Sequence, residues 1–120
     1  MPRPLSLKVT AGAEDAERCN QGFTVAAAAA AAGAEVSLWL TGEAAWFGVP
    51  GRAEAFELPL ATPLADLRDL VLATGTVTVC SQCAARRGIT EDAVLPGVRI
   101  AGAAVWAEEI LADGVQALVY

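Results

Sequence analysis

Short apolar, β-rich runs alternate along this chain with longer stretches of helical period, and that alternation carries the reading of the fold. Leu5 to Thr10 mixes polar and apolar residues as a first strand, and Ala11-Gly12-Ala13 turns the chain. Asp15 is placed to cap a helix, with Glu14 and Glu17 near its positive end. That helix reaches about Ala32, carried by the unbroken alanine run Ala26–Ala32, and Gly33 closes it. Its small side chains predict a close approach to a sheet. Val36 to Leu40 reads as a second strand buried on both faces, followed by a turn at Thr41-Gly42. Glu43–Phe47 forms one helical turn, Gly48–Gly51 is loop around Pro50, and Ala55–Leu58 is weakly extended. Pro63 opens the next helix at its first position with Thr62 as cap. Leu64, Leu67 and Val71 supply its apolar face, and Gly75 ends it.

Thr76 to Val79 is rich in β-branched residues and reads as a third strand. Ser81–Arg87 is a short helix closed by Gly88, and Thr90 caps a turn that runs to Ala93. Val98–Ala101 is a fourth strand. Ala103–Asp113 is a helix with Val105, Trp106 and Ile110 facing inward and Gly114 as its cap. Gln116–Tyr120 is a final strand. Strand and helix thus alternate throughout, which predicts one α/β domain over residues 1–120. Its sheet is mainly parallel, with helices on both faces and right-handed crossovers. In such a sheet ligands bind beyond the carboxyl ends of the strands.

Composition narrows the function. Hydrophobic residues make up 55% of the 120 positions and charged residues only 18%, a balance that predicts apolar surface hidden by self-association. Eight basic residues face fourteen acidic ones, for a net charge of −6, so nucleic acid and anionic membrane surfaces are disfavoured partners. The chain has no histidine, which excludes Ser-His-Asp and Cys-His catalysis and imidazole-based zinc sites. Met1-Pro2-Arg3-Pro4 does not open a secretory signal, and the run Phe23–Ala34 is too short to span a bilayer. A cytoplasmic protein with reduced thiols is expected.

The chemistry concentrates in Cys80-Ser-Gln-Cys83-Ala-Ala-Arg86-Arg87-Gly88. Cys80 falls where a strand ends and a helix begins, so unpaired backbone N–H groups favour its thiolate. Such a thiolate attacks sulfur in a disulfide or persulfide, and Cys83, three residues on, can resolve or assist. Arg86 and Arg87, at i+3 and i+4 from Cys83, are expected to add positive potential near the sulfurs. Together with Ser81 and Gln82 they form the expected substrate surroundings. Cys19, alone in the first helix, reads as inert core. One Cys-x-x-Cys gives only two zinc ligands, and a four-cysteine site would need a second subunit, so no metal or cofactor is expected.

Weaker signals rank below this. Thr10-Ala11-Gly12 is an ordinary strand-to-helix turn rather than a phosphate loop. Trp39, Trp46 and Trp106 pack in the core or at an interface in preference to lining a pocket. Glu43, Glu108 and Glu109 read as solvated acids.

The stretch Val79-Cys80, Cys83-Ala-Ala-Arg86-Arg87-Gly88-Ile89 resembles the DsrE/DsrF-like family of small sulfur-relay proteins. Leu95-Pro-Gly-Val98 and Ala112-Asp-Gly-Val115 to Val119 resemble its C-terminal half; the first two strands and the alanine-rich helix fit the N-terminal half. The resemblance implies a three-layer α/β/α fold with a five-stranded sheet. It also implies trimers or hexamers, and a persulfide carried on the cysteine six residues before the Arg-Arg-Gly stretch, which is Cys80. Sulfur donor and acceptor proteins would then be its partners. Cys83 is not required by the best-known relay members. Three functions follow: a persulfide carrier or sulfurtransferase using Cys80, a thiol–disulfide protein using Cys80 and Cys83, and a non-catalytic oligomeric binding module.

Overall fold

Leu7 and Val9 point to one side of the first strand and Ser6 and Lys8 to the other, and this alternation divides the molecule into two unlike halves. The structure is a computed structural model and describes residues 2–120. Its strands are β1 (Pro4–Val9), β2 (Glu35–Leu40), β3 (Thr76–Cys80), β4 (Arg99–Ala101) and β5 (Gln116–Val119). They form one sheet in the order β4-β3-β2-β1-β5, every neighbouring pair parallel. The helices are α1 (Ala16–Ala31), α2 (Leu64–Thr74), α3 (Ser81–Arg86) and α4 (Ala103–Leu111), with 3₁₀ turns at Ala13–Asp15 and Gly42–Gly48. The fold is the three-layer α/β/α arrangement.

The first face of the sheet is the hydrophobic core. Leu7, Val9, Val36, Leu38, Leu40, Val77 and Val79 are buried there against Phe23, Ala26 and Ala27 of α1 and Leu64, Leu67 and Val71 of α2. Burial of each large aliphatic side chain contributes about 1.5–3 kcal/mol. Small residues set the spacing, as the alanine run predicted: a β-carbon at Gly22 in α1 would stand 2.5 Å from the Val9 Cγ2. Arg68 of α2, 2% exposed, ties the segment after β2 to this layer. It donates to the Phe47 carbonyl at 3.3 Å and pairs with Glu54 and Asp69 at 3.1 and 3.0 Å.

The second face is polar. Ser6, Ser37 and Thr76 stand in one row across β1, β2 and β3, and Lys8, Trp39, Thr78 and Arg99 in the next. A single helix, α4, covers it. The chain steps from β1 to β3 in one direction with α1 and α2 on the first face. It then returns across the whole sheet from β4 to β5, and crossovers of one hand put that return helix on the opposite face. Glu109 fastens α4 there: its Oε2 accepts from the Ser6 hydroxyl at 2.5 Å and the Trp39 indole N–H at 3.1 Å, and its Oε1 pairs with Arg99 at 3.1 Å. The Trp106 indole N–H donates to the Ser6 oxygen at 3.0 Å.

Several local expectations change. Glu109 is the hub of this network and not a solvated acid, because α4 turns it toward the sheet. Val105, expected to face inward, is exposed. Apolar residues surround nearly all of α4, so its period does not fix which side packs. Pro63 takes the cap position and α2 starts at Leu64, since the extended backbone of Pro63 (ψ 131°) lies outside the helix. Asp15 stands at the cap position of α1 without a capping side-chain bond and pairs instead with Arg18 at 3.2 Å. No helix among the described residues is long and apolar enough to cross a membrane.

Candidate functional site

Cys80 is the last residue of β3 and the cap residue of α3. Its register partner on β4 is Ala101. The connection after β3 returns residues such as Cys83, Ala84 and Ile89 to the first-face core, whereas the connection after β4 is α4 on the second face. Neighbouring strands whose connections leave on opposite faces open a crevice at their carboxyl ends. Cys80 stands at that carboxyl end, half-buried, with Ser81 beside Gly102. A β-carbon on Gly102 would be 3.0 Å from the Ser81 Oγ, so the glycine lets the two strand ends approach.

The electrostatics favour an anion. Partial burial raises the Cys80 pKa, but the Cys83 N–H, the Cys83 thiol, the Gln82 N–H and the Lys8 ammonium together outweigh it. The thiol is therefore held below its ordinary value of 9.0. Cys19 is the contrast: it is fully buried, and burial together with the charges of Glu14 and Asp15 pushes its thiol up to about 12. It has the environment of an inert core thiol.

Cys83 is buried one turn into α3, and its Sγ accepts the Gly42 backbone N–H at 3.2 Å. The loops after β2 and β3 are thereby joined at the sulfur. Arg87 strengthens the joint, pairing with Glu43 at 2.7 Å and donating to the Cys83 carbonyl at 3.1 Å. Glu43 is thus an ion-pair partner and more than a solvated acid. Arg86 and Gln82 are exposed, and Ser81 is half-buried. Of the expected substrate surroundings, Ser81 and Gln82 flank Cys80 directly, Arg87 is engaged with Glu43, and Arg86 extends into solvent.

The cation that acts on Cys80 is one that sequence reasoning missed. Lys8 is the only lysine in the chain. Its signal was the strand alternation that sets it opposite Leu7 and Val9, on the polar face. Among the described residues no group of three or more Cys, Asp or Glu side chains is arranged to hold a metal ion. Clefts lie around the sheet, and the three described next are lined by neither Cys80 nor Cys83. One of about 500 Å³ is formed by the loop between Glu54 and Leu64. One of about 320 Å³ lies under α4, beside Ser6, Ser37, Arg99 and Glu109. One of about 220 Å³ is walled by Glu43, Trp46, Arg52 and Phe56. The Arg52 guanidinium covers Trp46 there, 3.9 Å from the ring centroid.

The model of the DsrE/DsrF-like family matches residues 6–119, nearly the whole chain. The chain belongs to this family. The DsrE/DsrF-like fold is also seen in a solved structure, described as the crystal structure of the ychN protein from E. coli. The two chains superpose with a TM-score of 0.80 over 100% of each, at 19% sequence identity, a likeness of fold alone. No curated protein matches the chain. Within the DsrE/DsrF-like domain described here, Cys80 is the thiol that combines partial exposure with an anion-favouring environment.

Proposed function

We propose that this protein is a sulfur-relay component that carries a persulfide on Cys80. One observation carries the reading: a half-exposed thiol sits at the carboxyl end of β3, beside β4, where the winding of the chain reverses. Membership of the DsrE/DsrF-like family supports it. In the transfer step the Cys80 thiolate attacks the outer sulfur of a donor persulfide R–S–SH. A new S–S bond forms to Cys80, the donor's S–S bond breaks, and the donor leaves as the thiolate R–S⁻. A relay thiol works in a reducing compartment, so the same reading puts the protein in the cytoplasm.

The test is intact-mass measurement after incubation with a persulfide donor. The carrier gains about 32 Da, one sulfur atom, and Cys80→Ser abolishes the gain while Cys19→Ser does not. Wild-type protein with no added mass would overturn the reading.

A second reading rests on the Cys-x-x-Cys spacing, which puts Cys83 in the first turn of the helix that Cys80 caps. If the pair cycles as a disulfide, mild oxidants remove about 2 Da and a reductant restores them. Transfer needs Cys80 alone and the disulfide needs both sulfurs, and the mass change separates them.

The chain also works as a homo-oligomer, a trimer or hexamer, in this proposal. Support comes from α4, which has no buried residue and carries only two charges, Glu108 and Glu109. Val105 and Leu111 are exposed on it, and Val119 is exposed on the neighbouring edge strand β5.

A further inference from the structure

Lys8 and Cys80 share the polar face of the sheet. Lys8 on β1 is level with Trp39 on β2, which is level with Thr78 on β3; Cys80 follows Thr78 by two residues and so points the same way. Lys8 is half-buried, and its Nζ rests 3.8 Å from the centroid of the Trp106 ring. Trp106 is fixed in turn by its indole bond to Ser6. A cation over an indole face is held in place without being neutralised.

Two of the other cations at this edge are paired, while Arg86 is exposed on α3 and points into solvent. Arg87 faces Glu43, and Arg99 faces Glu109. Among the described residues Lys8 makes no ion pair with a carboxylate. An acidic protein with a net charge of −6 thus keeps its single lysine half-buried, uncompensated and held by an aromatic ring on the face that Cys80 occupies.

A positive charge two strands away, on the sheet face that the thiol shares, addresses a specific problem. A thiolate attacking an anionic reagent brings two negative charges together, whereas attack on a neutral reagent does not. The geometry points to Lys8 and Cys80 as a two-point subsite for small anionic sulfane-sulfur donors, with the donor's negative end on the Lys8 ammonium and its outer sulfur on Cys80. This rests on the sulfur-relay reading of Cys80 and specifies its donor class. With thiosulfate as the simplest member, the Cys80 thiolate bonds to the outer sulfur, the S–S bond breaks, and sulfite leaves with the bonding pair. The persulfide anion stays on Cys80, on the face that carries the Lys8 ammonium. Lys8 is a positioning residue for that charge.

The test compares alkylation of Cys80 by anionic iodoacetate and by neutral iodoacetamide, followed by peptide mapping at residue 80. Both reagents use the same thiolate, so the ratio of their rates is independent of the fraction ionised. Lys8→Gln should lower the iodoacetate-to-iodoacetamide ratio roughly three- to tenfold, and Lys8→Arg should keep it within about twofold of wild type. Raising the salt concentration should bring the wild-type ratio toward that of Lys8→Gln. Equal ratios in wild type and Lys8→Gln would overturn the subsite. Should Lys8→Gln fail to fold, the native protein supplies the same comparison. Acetylating its one lysine removes the charge and reductive methylation keeps it, and only acetylation should lower the ratio. Alkylation needs no sulfur transfer, so the two ideas fail separately: a flat ratio overturns the subsite, and absent sulfur uptake overturns the carrier.

Discussion

Gly42 donates its backbone N–H to the Cys83 sulfur across 3.2 Å, from a backbone with φ of +56°. A β-carbon there would stand 2.7 Å from the Thr10 carbonyl oxygen. The position therefore suits glycine twice over, by conformation and by space. This contact makes the two cysteines of the motif unlike: Cys83 is buried and engaged, and Cys80 is half-exposed. In native protein Cys80 should alkylate at least about ten times faster than Cys83. Gly42→Ala should cost about 1–3 kcal/mol in urea unfolding and speed alkylation of Cys83 more than that of Cys80. An unchanged Cys83 rate in a destabilised Gly42→Ala protein would mean that the Gly42 N–H does not restrain the sulfur.

Cys19 gives a pH dependence with a defined sign. Its folded-state pKa is raised from 9.0 to about 12, so the folded protein keeps a proton that the unfolded chain releases. The contribution is full below pH 9.0 and is lost as pH climbs toward about 12. Cys80 acts in the opposite sense. Its lowered pKa adds stability as pH rises through the folded value toward 9.0, and nothing further above that. Urea unfolding of wild type should therefore show falling stability from pH 9 upward, and Cys19→Ala should flatten that fall. The same substitution should cost about 1–3 kcal/mol at neutral pH for the lost packing. A fall of equal slope in Cys19→Ala would assign it to another group.

Glu109 holds α4 on the sheet through Ser6, Trp39 and Arg99. Glu109→Gln keeps one acceptor oxygen and loses the charge opposite Arg99. Removing a charge-assisted hub of this kind should cost about 1.5–3 kcal/mol. Two indoles, Trp39 and Trp106, belong to the network, so tryptophan emission should shift toward that of solvated indole in native Glu109→Gln. Unaltered emission with an unaltered urea midpoint would show that apolar contacts alone seat the helix.

The strand–helix alternation and the Cys-x-x-Cys were legible in the sequence because both are local signals. Period, turn residues and the strand-to-helix junction at Cys80 lie within a few positions of one another. The relationships that give the site its character are not local. Ser6 meets Glu109 across 103 residues, and Gly42 meets Cys83 across 41. Arg87, expected to add positive potential near the sulfurs, bonds the Cys83 carbonyl and also pairs with Glu43, 44 positions away, because the loops after β2 and β3 converge at the carboxyl edge. Lys8 escaped notice for the same reason: its influence on Cys80 crosses two strands, and only the order β3-β2-β1 brings them to one face. Val105 was assigned inward because a helix apolar on nearly every side gives its period no direction.

That uniformity of α4 leads to the prediction on assembly. A helix that packs only on its own sheet carries a polar outer face. Here the outer face presents Val105 and Leu111, the latter 80% exposed, next to Val119 on β5. A second copy of the chain is the occupant proposed for this surface, since the low charge content lets two such faces meet without burying ions. A stable contact buries about 1,200–2,000 Å² in total, and each large aliphatic side chain fully covered adds about 1.5–3 kcal/mol. Light scattering at micromolar concentration should give a mass several times 12.3 kDa for wild type. Val105→Glu with Leu111→Glu should shift it to the monomer with an unchanged circular dichroism spectrum, because neither side chain belongs to the core. Wild type of monomer mass at high concentration would reject self-association, and a double variant that keeps the oligomer would move the contact away from α4.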